Sequence, residues 1–357
     1  MLEIAKREVS TVHGTAPRPA GAASAARLAA VLTTPAPATA RPRAVPLICW
    51  LAVAPGLVWA VVRLVGLDRG PLVQALAFTP YVAGGSLLAL MLALALRCRW
   101  PAVAAAVAAL ALLGAVVPRA LPDRQQATRG PQLRVLTANL LAGNADAATL
   151  VELVRRNQVD VLTVQEFTPA ARDALDRAGL ADLLPHRQLN PEVGTTGSGL
   201  YARFPLTGGG FRRNTGFAFT QAYATVAVPG APALRVESAH PAAPWSVGVV
   251  DEWRTDLAGQ PRATPDGQLG ILAGDFNATL DHSPLRALLA SGYVDAADAV
   301  GAGLVGTWGP YDGDPIPPVT IDHVLVDRRI AVRAVTVHRV PATDHRAVLA
   351  TLRLPAP

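Results

Sequence analysis

Three long apolar runs stand in series between Leu47 and Val117, and they constrain this chain more than any other feature. Leu47 to Leu67 is long enough to cross a bilayer, with Arg63 near one end where its head can snorkel to the interface. Leu72 to Leu96 contains Thr79-Pro80 and Gly84-Gly85, which a transmembrane helix tolerates and which suggest a kink. Pro101 to Val117 is Ala-rich and only just long enough. Short charged breaks separate the runs, so burying all three inside a soluble domain is hard. The pattern predicts a membrane domain over 46–118 with three transmembrane helices.

Residues 1–45 are rich in Ala, Pro, Thr and Arg and have no sustained apolar period, which reads as a disordered tail. The tail is too long, and its apolar run too late, for an ordinary signal peptide. The formal charge of +6 divides unevenly. Residues 1–130 hold 13 basic against 4 acidic side chains, and residues 131–357 hold 19 against 22. The mildly acidic C-terminal part argues against nonspecific nucleic-acid binding through a basic surface. Cys49 and Cys98 are the only cysteines, both in the apolar third, so the rest of the chain can build neither a disulfide framework nor a cysteine zinc site. Lys6, Arg7, Arg18, Arg27, Arg41 and Arg43 weight the tail, and Arg97 and Arg99 the second break. With three crossings the positive-inside rule puts tail and second break in the cytoplasm and the chain from about 120 outside. Arg119, Arg124 and Arg129 count against that orientation.

After a linker over 119–131, the pattern changes to short β-like runs alternating with helical ones. Strands are expected at Leu133–Ala138, Val159–Val164, Gly199–Arg203, Ala222–Val228, Leu234–Ser238, Leu269–Ala273, Ile321–Val326, Val332–His338 and Ala347–Leu354. Helices are expected at Asp146–Asn157, Pro169–Ala178 and Pro284–Ala290. The mixture is α/β with mixed sheets covered by helices, and no internal repeat is visible.

The chemistry sits where these runs end. Leu269 to Ala273 leads into Gly274-Asp275-Phe276-Asn277, which delivers two polar side chains, two residues apart, to one side of the backbone. Asn139, Glu166, His240, Asp322-His323 and Asp344-His345 stand at the ends of other runs. A phosphate ester repels nucleophiles, so its hydrolysis needs a cation on the phosphate oxygens, a group to orient or deprotonate water, and donors for the developing charge. Mg²⁺ prefers oxygen ligands and keeps several waters, so one or two carboxylates suffice, and Glu166 is placed to be one. Alternation turns His323 to the other face from Asp322, so it is assigned a structural role. His13, His186, His282 and His338 have no motif around them and are read as surface or packing residues. Gly194-Thr-Thr-Gly-Ser-Gly199 lacks the strand–turn–helix context of a dinucleotide site. Asn277-Ala-Thr279 fits a glycosylation sequon, but the site claims Asn277.

In order and in type, these elements resemble the endonuclease/exonuclease/phosphatase superfamily, the DNase I-like fold, over the whole stretch 132–357. The resemblance rests on Leu136-Thr-Ala-Asn139-Leu, Val164-Gln-Glu166, Gly199-Leu-Tyr-Ala-Arg-Phe-Pro205-Leu, Glu237-Ser-Ala-His240-Pro, Gly274-Asp-Phe-Asn277, Ile321-Asp322-His-Val-Leu and Thr343-Asp344-His345. It implies a four-layer α/β sandwich of two mixed β-sheets flanked by helices, with the site at one end of the sheets. It implies that Glu166 is the principal metal ligand, beside Asn139, with Asp344 a further metal contact. Asp275 matches the carboxylate that handles the attacking water, and Asn277 the amide that holds a phosphate oxygen. His345 matches the histidine facing the scissile phosphate, Asp322 the carboxylate that fixes it, and His240 a second histidine that stabilises the transition state or protonates the leaving oxygen. Ala202 stands where the family often has Ser, and the insertions with which DNA-repair members grip a duplex are missing.

The expectation is a membrane-anchored, Mg²⁺- or Mn²⁺-dependent phosphodiesterase acting on lipid head groups or nucleic acid, with the bilayer as its other partner and no obligate protein partner. A phosphomonoesterase, or a catalytically idle binding module of the same fold, is the alternative. The second is disfavoured because every expected position holds the expected residue type. The three runs contain no acidic residue, which argues against an ion pathway. Specificity is expected in loops at 186–198, 207–220, 241–266 and 301–318.

Overall fold

The computed structural model describes residues 44–125, 127–216, 218–310 and 315–357. The expected tail, with His13, lies outside them except for Ala44 and Val45, as do parts of the linker and of the 301–318 loop. Residues Pro46–Pro357 pack as one unit.

The apolar third forms α1 (Ala44–Val65), a short α2 (Leu72–Leu76), α3 (Thr79–Ala95) and α4 (Arg99–Val116), the last extended by a 3₁₀ turn to Ala120. Among the described residues, two helical stretches are long and apolar enough to cross a membrane, Ala44–Val65 and Arg99–Ala120. The middle of the three expected runs gives a shorter apolar helix, Thr79–Ala95. The run Leu72–Leu96 is broken at Ala77-Phe78, immediately ahead of Thr79-Pro80, and leaves a 17-residue α3. The cause is local: Pro80 lacks the N–H that would continue a helix from α2 and is pre-formed for a first turn. The three long helices meet through small residues. A Cβ on Gly56 would lie 3.6 Å from Ser86 and 3.9 Å from Ala108, and Ala60, Ala83 and Leu112 form a common cluster. Their outward faces carry exposed Leu51, Leu88 and Leu110.

The rest of the chain folds into two six-stranded mixed sheets. The first contains β1 (Gln132–Asn139), β2 (Val161–Gln165), β3 (His186–Asn190), β4 (Ser198–Ala202), β11 (Ala331–Arg339) and β12 (Arg346–Arg353), in the order β11-β12-β1-β2-β4-β3. The second contains β5 (Leu206–Arg213), β6 (Thr220–Val226), β7 (Leu234–Ala239), β8 (Leu269–Asp275), β9 (Tyr293–Asp295) and β10 (Asp322–Asp327), in the order β5-β6-β7-β8-β10-β9. Each sheet has one parallel pair at its centre, β1 with β2 and β7 with β8.

Strand alternation builds the layers. Val135, Leu200, Val236, Ile271, Val324 and Ala350 fill the space between the sheets. Leu136, Leu162 and Val164 face outward onto α5 (Ala147–Arg156) and α6 (Pro169–Arg177). On the other side Leu272 and Leu325 meet α8 (Val250–Ala258) and α9 (Ser283–Ala290); α7 (Leu180–Leu183) and α10 (Ala296–Ala299) are single turns. This is the expected four-layer α/β sandwich. All nine expected strands and three helices form, with ends shifted by a residue or two. The loops at 186–198, 207–220 and 241–266 are not loops throughout, because they contain β3, β5 and α8. Beta3 and β5 are edge strands with half-exposed polar residues, and β5 includes Gly208-Gly209-Gly210, so neither shows an apolar run. Helix α8 signals only through buried Val250, Trp253 and Leu257.

Val73 of α2 belongs to the same cluster as Trp253 and Leu285. Asp281, between β8 and α9, is held by Arg63 of α1 and Arg119 after α4, with Nε and Nη2 at 2.5 and 2.6 Å from the same oxygen. The helices and the sandwich thus share a buried, charged joint.

Candidate active site

The core turns polar towards one end of the sheets. Gln165 Nε2 donates to Ser238 Oγ at 2.9 Å, Ser238 Oγ donates to the Val164 carbonyl, and Thr163 Oγ1 donates to the Ala273 carbonyl. Beyond this seam the strand ends deliver the eight residues expected from the sequence. Asn139 closes β1 and Glu166 follows β2; His240 follows β7 and Asp275 closes β8. Asp322 opens β10, paired in register with Asp275, and His345 immediately precedes β12. Gly274 is required here, because a Cβ would lie 1.9 Å from the Ala239 carbonyl oxygen. Glu166 and Asn277 adopt left-handed backbone, with φ of 54° and 49°, as do Leu141 and Ala142 beside them. Strain of this kind persists only where the surroundings over-determine it.

Asn139 joins the two sheets: its Nδ2 donates to Glu166 Oε1 at 3.1 Å and to Asp275 Oδ2 at 3.0 Å. Its Oδ1 accepts from the Leu141 amide, and the Ala142 amide donates to Glu166 Oε2 at 2.6 Å. Asp275 Oδ1 accepts from the Asn277 amide at 2.8 Å. The Asn277 side chain is near but turned away, donating to the Pro241 carbonyl. His345 Nδ1 lies 2.9 Å from Asp322 Oδ2, and its Nε2 points towards Asp275 Oδ2 at 3.7 Å. His240 Nε2 approaches the same oxygen at 3.9 Å, its ring stacked on Phe219 with centroids 4.4 Å apart. Asp344 Oδ2 accepts from Trp308 Nε1 at 2.8 Å. His323 turns away as expected, bonded to Asp295 and the Ala278 carbonyl.

Burial sets the charges. It pushes the Asp275 carboxyl up to about 7, against the opposing pull of His345 and the donors Asn277 and Asn139. Burial alone would neutralise His345, but Asp322 and then Asp275 push it up to about 10. His240 is driven down to about 3 by burial and by the neighbouring His345 charge, so it is neutral. Burial also raises Glu166, more than the Ala142 and Asn139 hydrogen bonds lower it.

A cation fits this donor set. Glu166, Asp275 and Asp344 bring oxygens to one end of the cleft, and Asp344 Oδ1 is buried with no hydrogen-bond partner, 4.0 Å from His345 Nε2. An orphaned buried carboxylate oxygen is costly unless something positive meets it. Asp275, Asp322 and His345 also bring ligand atoms within 4.8 Å of one another. That trio is the weaker cage for a hard ion, because Asp322 already engages Nδ1 of His345 and an imidazole is not an oxygen ligand.

The cleft over these residues has a volume of about 740 Å³. The loops at 207–220 and 301–318, expected to carry specificity, supply Phe219 under His240 and Trp308 on Asp344, whereas Val73, Gln74, Ala77 and Phe78 from the connection between α1 and α3 were not anticipated. An exposed-looking aromatic in a loop gives no sign that it will stack on a histidine or bind a carboxylate. His282, read as surface or packing, is buried and packs, its Nε2 2.8 Å from the Val73 carbonyl.

Comparison with known proteins agrees with this architecture. Among solved structures, an endonuclease/exonuclease/phosphatase from Beutenbergia cavernae is similar at 21% identity and TM-score 0.51, over 64% of this chain and 72% of that one. A humanized D. rerio TDP2 is similar at 16% identity and TM-score 0.51, over 62% and 98%. An AP endonuclease from Archaeoglobus fulgidus is similar at 14% identity and TM-score 0.51, over 61% and 98%. At such identities the likeness is one of fold. No curated protein matches the chain. The model of the Endonuclease/Exonuclease/phosphatase family matches residues 136–345, from the Leu136-Thr-Ala-Asn139 strand to His345 itself, and the chain belongs to that family of phosphoester hydrolases.

Proposed function

We propose that the chain is a membrane-anchored, divalent-metal-dependent phosphodiesterase, with residues 132–357 as its catalytic domain and 46–118 as its membrane domain. One observation carries the reading. Glu166, Asp344 and His345 from the first sheet meet the buried Asp275, Asp322 and His240 from the second at one end of the cleft, with the Asn139 amide bridging Glu166 and Asp275. Glu166, Asn139 and Asp344 would hold the cation, Mg²⁺ or Mn²⁺, whose chemistry is to neutralise the phosphoryl oxygens. Asp275, poised near neutrality, orients water and takes its proton. His345, kept protonated by Asp322, donates from Nε2 to the charge that develops on phosphorus-bound oxygen. Asn277 holds a second phosphoryl oxygen once its amide leaves Pro241. His240, being neutral, serves as a hydrogen-bond donor and not as the acid that protonates the leaving group.

Anchoring is supported by the helix ends. Arg63 near the end of α1 and Arg119 after α4 meet at Asp281, so both helices finish on the sandwich side. The chain between them must return, and α3 runs from Thr79, tied to Trp59 on that side, towards Arg97 and Arg99. At 17 residues α3 spans about 26 Å, close to a bilayer's hydrocarbon core. The basic tail then favours a cell-membrane location with the sandwich outside the cytoplasm.

The test is hydrolysis of bis(p-nitrophenyl) phosphate by the full chain, with Mg²⁺ or Mn²⁺ and with EDTA, beside Glu166→Ala. Metal-dependent turnover, reduced about 100-fold or more in the variant, is expected. Turnover indifferent to EDTA, or none on this diester and on a matched monoester, overturns the reading.

A further inference from the structure

Part of the cleft lining does not come from the sandwich. It comes from the connection between α1 and α3, where Val73, Gln74, Ala77 and Phe78 line the same cavity as Glu166 and His345. The segment is fastened there: Gln74 Nε2 donates to the Pro244 carbonyl at 2.6 Å, and His282 Nε2 meets the Val73 carbonyl. Pro244 is followed by Trp245, which also lines the cavity and yet is 72% exposed. Val247, two residues on, is exposed and approaches Gly70 at the end of α1. An indole with this exposure, at the level where apolar helices end, occupies the position that Trp favours at a bilayer surface. The cavity thus combines polar lining, with Glu166, Asp275 and His345, and apolar lining, with Val73, Ala77, Phe78 and Trp245, and the helices joined by this connection carry exposed Leu and Val.

Resting on the phosphoesterase reading above, we infer that the substrate is an amphiphilic phosphoester resident in the bilayer. Its phosphate reaches Glu166, Asp275 and His345 while its hydrocarbon lies along Ala77, Phe78 and Trp245. The geometry gives sideways entry from the membrane surface, and it makes the α1–α3 connection a specificity element as well as a tether. Nucleic acid fits less well, since the C-terminal part is mildly acidic and, among the described residues, the cleft lining includes no Lys or Arg.

Full-length protein in lipid nanodiscs would be titrated with ethyl phosphate and with octyl phosphate, beside Phe78→Ser and Trp245→Ser. Octyl phosphate is expected to bind at least about tenfold more tightly than ethyl phosphate. That advantage, the ratio of the two affinities, should shrink to about threefold or less in each variant. Partition of octyl phosphate into the lipid is common to all three proteins, so the difference among them isolates the cleft. Trp245 is exposed, so its variant guards against a folding defect in Phe78→Ser. Equal affinity for the two ligands in the parent chain, or an advantage retained in both variants, overturns the inference. So does a short single-stranded DNA that displaces octyl phosphate at lower concentration than octyl phosphate itself requires. Chain-length-dependent binding without turnover of octyl p-nitrophenyl phosphate would support the cleft and defeat the phosphoesterase reading.

Discussion

The two sheets use the same pairing plan but bury the carboxylates at their ends to different depths. Read from β11 and from β5, each runs antiparallel, antiparallel, parallel, antiparallel, antiparallel. Each sends the ends of its central parallel pair to the site: Asn139 and Glu166 from β1 and β2, His240 and Asp275 from β7 and β8. Yet Glu166 keeps some contact with solvent, while His240, Asp275 and Asp322 are each only 2% exposed. A residue that exchanges water for a cation must be reachable, whereas a carboxylate that is to take a proton near neutral pH must be desolvated. Under the proposed mechanism, burial separates the two carboxylates, the accessible Glu166 for the cation and the desolvated Asp275 for the proton.

The largest effect should come from removing the proton acceptor alone. Asp275→Asn keeps an acceptor for the Asn277 amide but cannot take a proton, and should lower kcat about 10³-fold. Its amide offers one acceptor where the carboxylate serves both the Asn277 amide and Asn139 Nδ2, so thermal stability should fall by about 1–3 kcal/mol. Excess metal should not restore turnover, whereas it should partly restore Glu166→Gln. If excess metal rescues both variants alike, the two roles are not separate.

Asp322→Asn should be the next most damaging, by about 100-fold, and should show in the pH profile. The active form holds a proton on His345, whose pKa Asp322 and Asp275 raise to about 10, so activity should fall as pH rises through that region. Without Asp322 the fall should begin at lower pH. An alkaline limb that does not move would show that another group sets it.

The third test strikes the joint between helices and sandwich, four residues beyond Asn277. Asp281 is fully buried, and Arg119 and Arg63 hold its carboxylate low against the upward push of burial. Asp281→Ala strands two arginines and should lower stability by about 3–5 kcal/mol, measured by thermal unfolding in detergent. If the loss is under about 1 kcal/mol, the helices are a tether only. The same argument makes the full chain, and not the sandwich alone, the right material for assays.

The legibility of these regions in the sequence follows burial too. Strands β1, β2, β7, β8, β10 and β12 are central, so their apolar runs stood out and their ends marked the site residues. Edge strands β3 and β5 face solvent on one side and signal weakly. Trp308, Phe219 and the α2 segment reach the cleft through tertiary packing alone, and no periodicity encodes which surface a loop will meet. The repeated sheet plan was invisible for a related reason: the two halves share backbone pairing but not side chains. The break at Ala77-Phe78 was half legible, since Pro80 announced a kink but not that the broken turn would wall the cleft.

The smallest predicted effect falls on the seam between the halves. Ser238 Oγ of β7 accepts from Gln165 Nε2 of β2 and donates to the Val164 carbonyl, with both side chains fully buried. Ser238→Ala leaves a buried amide donor and a carbonyl short of a partner, and should lower stability by about 1–3 kcal/mol. Gln165 directly precedes Glu166, whose strained backbone relies on its surroundings. If the seam only holds the sheets together, kcat and metal affinity should both stay within about twofold of the parent. If the seam also fixes Glu166, metal affinity should drop while the pH profile, set by His345, Asp322 and Asp275, stays in place. Measuring stability, metal titration and pH profile on this one variant separates the two roles at the point where the sheets touch.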